Sequence, residues 1–163
     1  MIPNLLPSIF GIELAAPNDD FSAWTGVEPN EIPTGYSVLG NDATNFVSEV
    51  TNGARFLSDS TSGLVLYRNY TVEPGKIYNF KIIKTEYVAG DIRLRIRDIT
   101  NATDILATSP MGWQDGNEHT YKFATPALCV EISITVSRMP AGNTDYVMNS
   151  WSLKEETKLL PQI

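Results

Sequence analysis

Residues 92–98, with the sequence IRLRIRD, alternate apolar and charged side chains with a period of two. Successive side chains of a β-strand point to opposite faces, so this pattern predicts a strand that buries Ile92, Leu94 and Ile96. Its three arginines then lie together on the opposite face. The heptapeptide therefore predicts a sheet that is buried on one side only.

Similar short segments, each followed by a turn, occur along most of the chain. Asn52-Gly53 separates two alternating runs, which is a strong signal for a β-hairpin because both positions tolerate positive φ. Residues 128–137 predict another strand, whose inward set is Leu128, Val130, Ile132, Ile134 and Val136. About eight or nine strands are expected, and no segment with helical periodicity is longer than the charged tail Lys154–Leu160. This pattern predicts an all-β fold, an antiparallel β-sandwich of the jelly-roll type.

The order of these signals divides the chain into three parts. Residues 1–40 contain five prolines and predict an extended N-terminal arm with loops that pack on the domain, with one edge strand around Ser8–Leu14. Residues 41–153 form the sandwich, and residues 154–163 form a short C-terminal tail.

Charge is unevenly distributed in this chain of net charge −7. No Lys or Arg precedes Arg55, whereas seven acidic residues do, and from Lys76 onward ten basic residues balance ten acidic ones. The basic surface that a nucleic-acid-binding protein needs is therefore missing from the first third, so nucleic acid is not expected as a partner. The N-terminus has Pro3 and Pro7 and no early basic residue, so no secretion signal is expected, and no run is long enough to span a membrane.

Residues for catalysis or metal binding are few. Cys129 is the single cysteine and lies in an apolar run, where a buried thiol is expected, and His119 is the single histidine. No nucleophile elbow, zinc motif or phosphate-binding glycine loop occurs. The sequence therefore predicts a protein that is not an enzyme and has no cofactor.

Five short motifs resemble those of carbohydrate-binding jelly-roll modules and their relatives in bacteriophage virion proteins. They are Asn4-Leu5-Leu6 followed by Phe21 and Trp24, then Val72–Tyr78, Ile92–Asp98, Tyr121–Pro126 and Tyr146–Leu153. The resemblance implies a bacteriophage virion β-sandwich. In such modules the closing motif often has an Asp that binds a structural calcium, and this chain has Asn149 there. No metal site is predicted, and a calcium ion would have to rest on Asp19, Asp20 or backbone carbonyls.

Two functional hypotheses follow. The first is a non-enzymatic structural component of a bacteriophage particle (a capsid decoration, head-fibre or tail-attachment protein) that is made in the host cytoplasm and located in the virion. Its partners would be capsid or tail proteins and further copies of itself. The alternative is a carbohydrate-binding module for host or polysaccharide glycans.

Candidate site residues belong to two groups. The arginine row, Arg93, Arg95 and Arg97, either pairs with acids of its own chain (Glu131, Asp91, Asp98 or others nearby) or binds a partner. That partner would be the acidic N-terminal third of a neighbouring copy, for which Glu13, Asp19 and Asp20 are candidates, or an acidic patch on another protein. Trp113, in a loop rich in glycine and polar residues, either covers the end of the sandwich or binds a sugar ring or partner surface. Three tyrosines are candidates to form an aromatic platform with Trp113: Tyr67, Tyr70 and Tyr87. The alternation of side chains along the strands places at least one of them in the core.

Overall fold

The computed structural model describes residues 10–13, 19–28, 30–51, 53–59, 63–90, 92–110, 118–138 and 142–156. These residues form thirteen β-strands and no helix, which confirms the predicted all-β class. The strands are β1 Phe10–Glu13, β2 Trp24–Thr25, β3 Ile32–Pro33, β4 Ser37–Leu39, β5 Asn45–Val50, β6 Gly53–Ser58, β7 Val65–Thr71, β8 Ile77–Ala89, β9 Ile92–Asp98, β10 Thr103–Pro110, β11 Glu118–Ala124, β12 Glu131–Arg138 and β13 Thr144–Glu156.

Two antiparallel sheets make the sandwich. One has the order β11-β8-β13-β6-β5, and β1 also pairs with β13 near its end. The other has five strands in the order β10-β9-β12-β7-β4. Neighbours in each sheet are distant in sequence at several places, as in a jelly roll.

The first 40 residues contribute to both sheets and to the core. Strand β1 pairs with β13 and β4 pairs with β7, while β2 and β3 form a separate two-stranded sheet. Phe21 and Tyr36 are buried in the core between the large sheets. At the other end of the chain, β13 continues to Glu156, three residues beyond the predicted end of the sandwich at 153.

Alternation places one face of each sheet in a shared core. The buried side chains of β9 are Ile92, Leu94 and Ile96, as the sequence predicts. At the centre lies Trp151, whose ring meets those of Tyr36 and Phe80 edge-on at centroid distances of 5.4 and 5.2 Å. Edge-to-face contacts of this kind stabilise a core beyond the area that they bury.

Strand β12 begins later than the sequence predicts. Leu128 and Val130, expected to point inward, are 75% and 50% exposed, because residues 127–128 form a turn and Leu128 has φ of +67°. The strand starts only at Glu131, and from there Ile132, Ile134 and Val136 are buried as predicted.

A buried carboxylate fixes the turn between β9 and β10. Asp98 accepts hydrogen bonds from the backbone N–H of Asn101 at 2.9 Å and from its side-chain amide at 2.7 Å. Burial by itself would raise the pKa of Asp98, but these hydrogen bonds outweigh it and hold the pKa below its ordinary value. The same environment raises the pKa of the buried Cys129 thiol to about 11, through burial and the hydrogen bond to Asp98.

Replacing Asp98 by Asn is expected to lower the melting temperature at pH 7. A group whose pKa is depressed by folding stabilises the protein above its unfolded-state pKa, and this contribution is lost as the pH falls through the folded-state pKa. When the pH is lowered below about 4, the parent should therefore lose the stability that the Asp98 carboxylate contributes, whereas Asp98→Asn has no such contribution to lose. Thermal melts followed by circular dichroism between pH 3 and 7 measure this, with Glu28→Gln, an exposed position, as the control. Parallel pH profiles for parent and Asp98→Asn would contradict the assignment.

Candidate functional site

The outer face of the five-stranded sheet carries a groove whose floor is β12. Because Ile132, Ile134 and Val136 point inward, the outward residues of this strand are the small hydroxyl side chains Ser133 and Thr135, followed by Ser137. Because these side chains on the central strand are small, the outer surface of the sheet has a depression above β12. The resulting cavity has a volume of about 450 Å³.

Larger side chains on the neighbouring strands form the two sides of this groove. Tyr67 of β7 and Arg95 of β9 are the register partners of Thr135 on either side, so their backbones are about 9.5 Å apart across the floor. Arg93 and Arg97 lie opposite Ser137 and Ser133 in the same way. The groove therefore has an apolar side, where Val65 and Leu39 lie beside Tyr67, and a cationic side, above a floor of hydroxyl groups.

Hydrogen bonds within the chain hold the arginine row, Arg93, Arg95 and Arg97, in place. Arg93 Nε donates to the carbonyl oxygen of Arg138 at 3.0 Å, and Arg97 Nη2 donates to that of Ala102 at 3.0 Å. Arg95 contacts Asp104 Oδ1 through Nε at 2.8 Å and through Nη2 at 2.7 Å. Each guanidinium is thus oriented by the fold rather than left to sample many rotamers.

Charge in the row is only partly neutralised. Asp104 is the one carboxylate in the described residues that pairs with it, and its Oδ1 also lies 3.8 Å from Arg97 Nη1. Arg95 and Arg97 keep side-chain exposures of 33% and 35%. The prediction that these arginines pair with acids of their own chain is therefore confirmed for two of them, with Asp104 as the partner. Asp98, one of the acids expected to pair with them, is instead buried in the turn.

The acidic candidates do not lie beside the arginine row. Asp19 faces Arg68, a buried residue of β7, with 3.7 Å between Asp19 Oδ1 and Arg68 Nη1. Asp20 is exposed, and a hydrogen bond from Ser22 lowers its pKa. Glu13 ends β1, and its side chain is outside the described part. The contact of these acids with a neighbouring copy stays a prediction.

The aromatic candidates separate clearly. Tyr67 lines the groove, whereas Tyr70 is buried in the core, where desolvation raises its pKa. Trp113 falls in 111–117, outside the described residues, and the side chain of Tyr87 is likewise not described. Among the candidate ligand-binding residues whose side chains the structure describes, Tyr67 is therefore the one that lies beside the arginine row.

Among the described residues, no group of three or more His, Cys, Asp or Glu side chains is placed to hold a metal ion. No helix in this part is long and apolar enough to cross a membrane.

The groove floor is the part that the sequence prediction missed. The signal was present: residues 132–137, with the sequence ISITVS, alternate the buried apolar residues Ile132, Ile134 and Val136 with Ser133, Thr135 and Ser137. Small outward side chains on a strand leave a depression only if both neighbouring strands carry larger ones. That condition depends on the order β9-β12-β7, which the sequence does not state.

Comparison with known proteins gives structural neighbours and no sequence match. No protein-family model and no curated protein matches this chain. The structure of TmCBM61, a carbohydrate-binding module in complex with β-1,4-galactotriose, matches with a TM-score of 0.54 and 17% identity over 76% of this chain and 90% of that one. The N-terminal cellulose-binding domain of Cellulomonas fimi β-1,4-glucanase C matches with a TM-score of 0.57 and 16% identity, over 78% and 92%.

A third neighbour comes from a bacteriophage. The enzymatically active domain of tailspike protein 4 from bacteriophage CBA120 matches with a TM-score of 0.56 and 10% identity, over 88% of this chain and 21% of that one. The matches to the galactotriose-bound module and the cellulose-binding domain establish that the chain shares the β-sandwich fold of carbohydrate-binding modules.

Proposed function

We propose that this chain is a carbohydrate-binding module that binds a polysaccharide in the groove along β12 and does not cleave it. The observation that carries the proposal is the groove itself, with Tyr67 on one side, the arginine row on the other and hydroxyl groups between them. Two neighbours of the same fold, by their descriptions, bind galactotriose and cellulose.

The chemistry of the groove suits a sugar chain. A sugar ring has flat C–H faces and a rim of hydroxyl groups, so an aromatic ring can cover a face while side-chain hydroxyls and guanidinium N–H groups bond the rim. Tyr67 offers the ring, and Ser133 and Thr135 offer the hydroxyls. Ligand sites in proteins commonly combine an apolar surface with a few placed polar groups in this way.

Replacing Tyr67 by Ala is expected to weaken polysaccharide binding by about tenfold, because the aromatic contact is lost. Affinity electrophoresis in gels that contain galactan, xylan, cellulose derivatives, polygalacturonate, alginate or hyaluronan first identifies which of these retard the protein. Calorimetric titration with soluble oligosaccharides of that polymer then gives the affinity of each variant.

Tyr67→Phe serves as the matched variant, since it keeps the ring and removes only the hydroxyl. It should retain most of the affinity that Tyr67→Ala loses. If none of the six polysaccharides retards the protein, the proposed function is wrong. If Tyr67→Ala binds as tightly as the parent, the site lies elsewhere on the molecule.

We also propose, as a second candidate after glycan binding, the role in a bacteriophage particle that was the first hypothesis from the sequence. The tailspike neighbour supports it by showing that one phage protein contains a domain of this fold. A virion protein would copurify with particles through a density gradient and be identified there by mass spectrometry. A glycan-binding module and a virion component are compatible, since a particle can carry such a module on its surface.

A further inference from the structure

We infer that the groove along β12 selects anionic polysaccharides, and that the arginine row binds carboxylates of uronic-acid residues along the sugar chain. This inference rests on the proposed function and adds the substrate class to it. Neutral glycans such as galactan, xylan and cellulose would then be weak ligands of this site.

The first support is the local charge. The whole chain has a net charge of −7, yet this face holds three arginines and one carboxylate, Asp104, that pairs with them in the described residues. A second acid on the same strand as the floor, Glu131, accepts a hydrogen bond from Asn69 rather than from an arginine. The groove is therefore a basic region on an acidic protein, and its positive charge attracts anionic ligands.

Spacing is the second support. Residues i and i+2 of a strand are about 6.7 Å apart, so the backbone positions of Arg93, Arg95 and Arg97 form a regularly spaced line beside the floor. The guanidinium groups of Arg95 and Arg97 both approach Asp104, and that of Arg93 lies beside the carbonyl oxygen of Arg138. A linear polymer with repeated acidic groups can engage such a line at several points. A neutral polymer gains nothing from the repetition of charge.

The third support is the set of Arg93 N–H donors that make no hydrogen bond within the described part of the chain. An arginine has five N–H donors, and within the described part of the chain Arg93 uses only Nε, for the carbonyl oxygen of Arg138. Its two Nη groups therefore keep their capacity for a ligand. The planar guanidinium fork matches the two oxygens of a carboxylate, and such charge-assisted bonds are stronger than neutral ones.

The groove also favours a sugar chain over an acidic protein surface. Its floor is made of Ser133, Thr135 and Ser137, whose small hydroxyl side chains leave a depression beside the ring of Tyr67. A polysaccharide strand can enter such a depression and place its rings against Tyr67. An acidic protein surface would contact the arginines but leave this depression unfilled.

The test compares ligands that differ only in charge. Polygalacturonate oligosaccharides and their methyl esters have the same sugar backbone, so a carboxylate-dependent site should bind the acid at least about tenfold more tightly. Alginate and hyaluronan oligosaccharides extend the comparison to other uronic acids, and dextran sulfate tests whether any polyanion suffices. Calorimetry at 50 and 500 mM NaCl adds the salt dependence, which should be steep for the acids.

Two variants and one control assign the effect to the arginine row. Arg93→Gln, Arg95→Gln and Arg97→Gln combined should reduce binding of the acidic oligosaccharides by roughly tenfold for each arginine. The combined control Lys81→Gln, Lys122→Gln and Lys154→Gln removes the same charge from the six-stranded sheet and should bind like the parent. Asp104→Asn removes the competing carboxylate and should strengthen binding severalfold, which also tests the inference without removing an arginine.

Each outcome decides between the possibilities. Binding of neutral glycans as tight as that of uronic-acid glycans would overturn this inference and leave the proposed function standing, whereas no binding to any glycan would overturn both. Equal binding of dextran sulfate would show a general polyanion site rather than a carboxylate site. An oligomer in sedimentation experiments that dissociates in the arginine variant would show that the row contacts another copy instead.

Discussion

Replacing Thr135 by Trp is expected to abolish polysaccharide binding, with a loss of about a hundredfold or more in affinity. Thr135 lies at the middle of the groove floor, between Tyr67 and Arg95 in the strand register. An indole at this position would occupy the space that a sugar ring needs. The fold should tolerate it, because the side chain points outward and Trp is favourable in strands.

Thr120→Trp is the matched control for this filling variant. Thr120 is an exposed residue of β11, on the outer face of the six-stranded sheet, so the same substitution there adds an indole without entering the groove. Calorimetric titrations of both variants with the polysaccharide that binds the parent should show loss only for Thr135→Trp. Equal affinity of Thr135→Trp and parent would place the binding site on another face.

Trp151→Ala is expected to have the largest effect on stability, about 3–5 kcal/mol in the free energy of unfolding. The side chain is fully buried and contacts the rings of Tyr36 and Phe80 at the centre of the sandwich. Its removal leaves a cavity that the surrounding strands cannot close without breaking their register. Urea unfolding followed by fluorescence or circular dichroism measures the change.

Trp24→Ala provides the comparison within the same protein. Trp24 is only half-buried, although its indole N–H donates to the carbonyl oxygen of Phe21 at 2.7 Å. Its replacement should therefore cost clearly less stability than that of Trp151. A loss at Trp151 no greater than the loss at Trp24 would show that the core relaxes around the missing indole.

Much of the architecture follows from local patterns in the sequence. The alternation in β9 predicts both its buried face and its arginine face, since side-chain direction in a strand depends only on residue parity. The β9–β10 turn follows from a polar segment that begins at Asp98, whose side chain satisfies the backbone there. The start of β12 was predicted too early, because the apolar residues Leu128 and Val130 belong to a turn and its exit.

The groove required the tertiary structure. Tyr67 and Arg95 are 28 positions apart in sequence, and they flank the same residue only because β12 inserts between β7 and β9. Pairing of distant strands depends on the complementarity of whole sheets rather than on any single segment. The same holds for Asp104, whose pairing with Arg95 and Arg97 follows from the register of the β9–β10 hairpin.

By itself the sequence determined the fold class, the acidic N-terminal third and the row of three arginines on one strand face. These are local properties, set by residue parity and composition. The tertiary structure decided what lies beside that row, a floor of small hydroxyl residues and an opposing tyrosine, because strand order sets which faces become neighbours. The arginine row forms one side of a groove because β12 lies between β9 and β7 in the sheet.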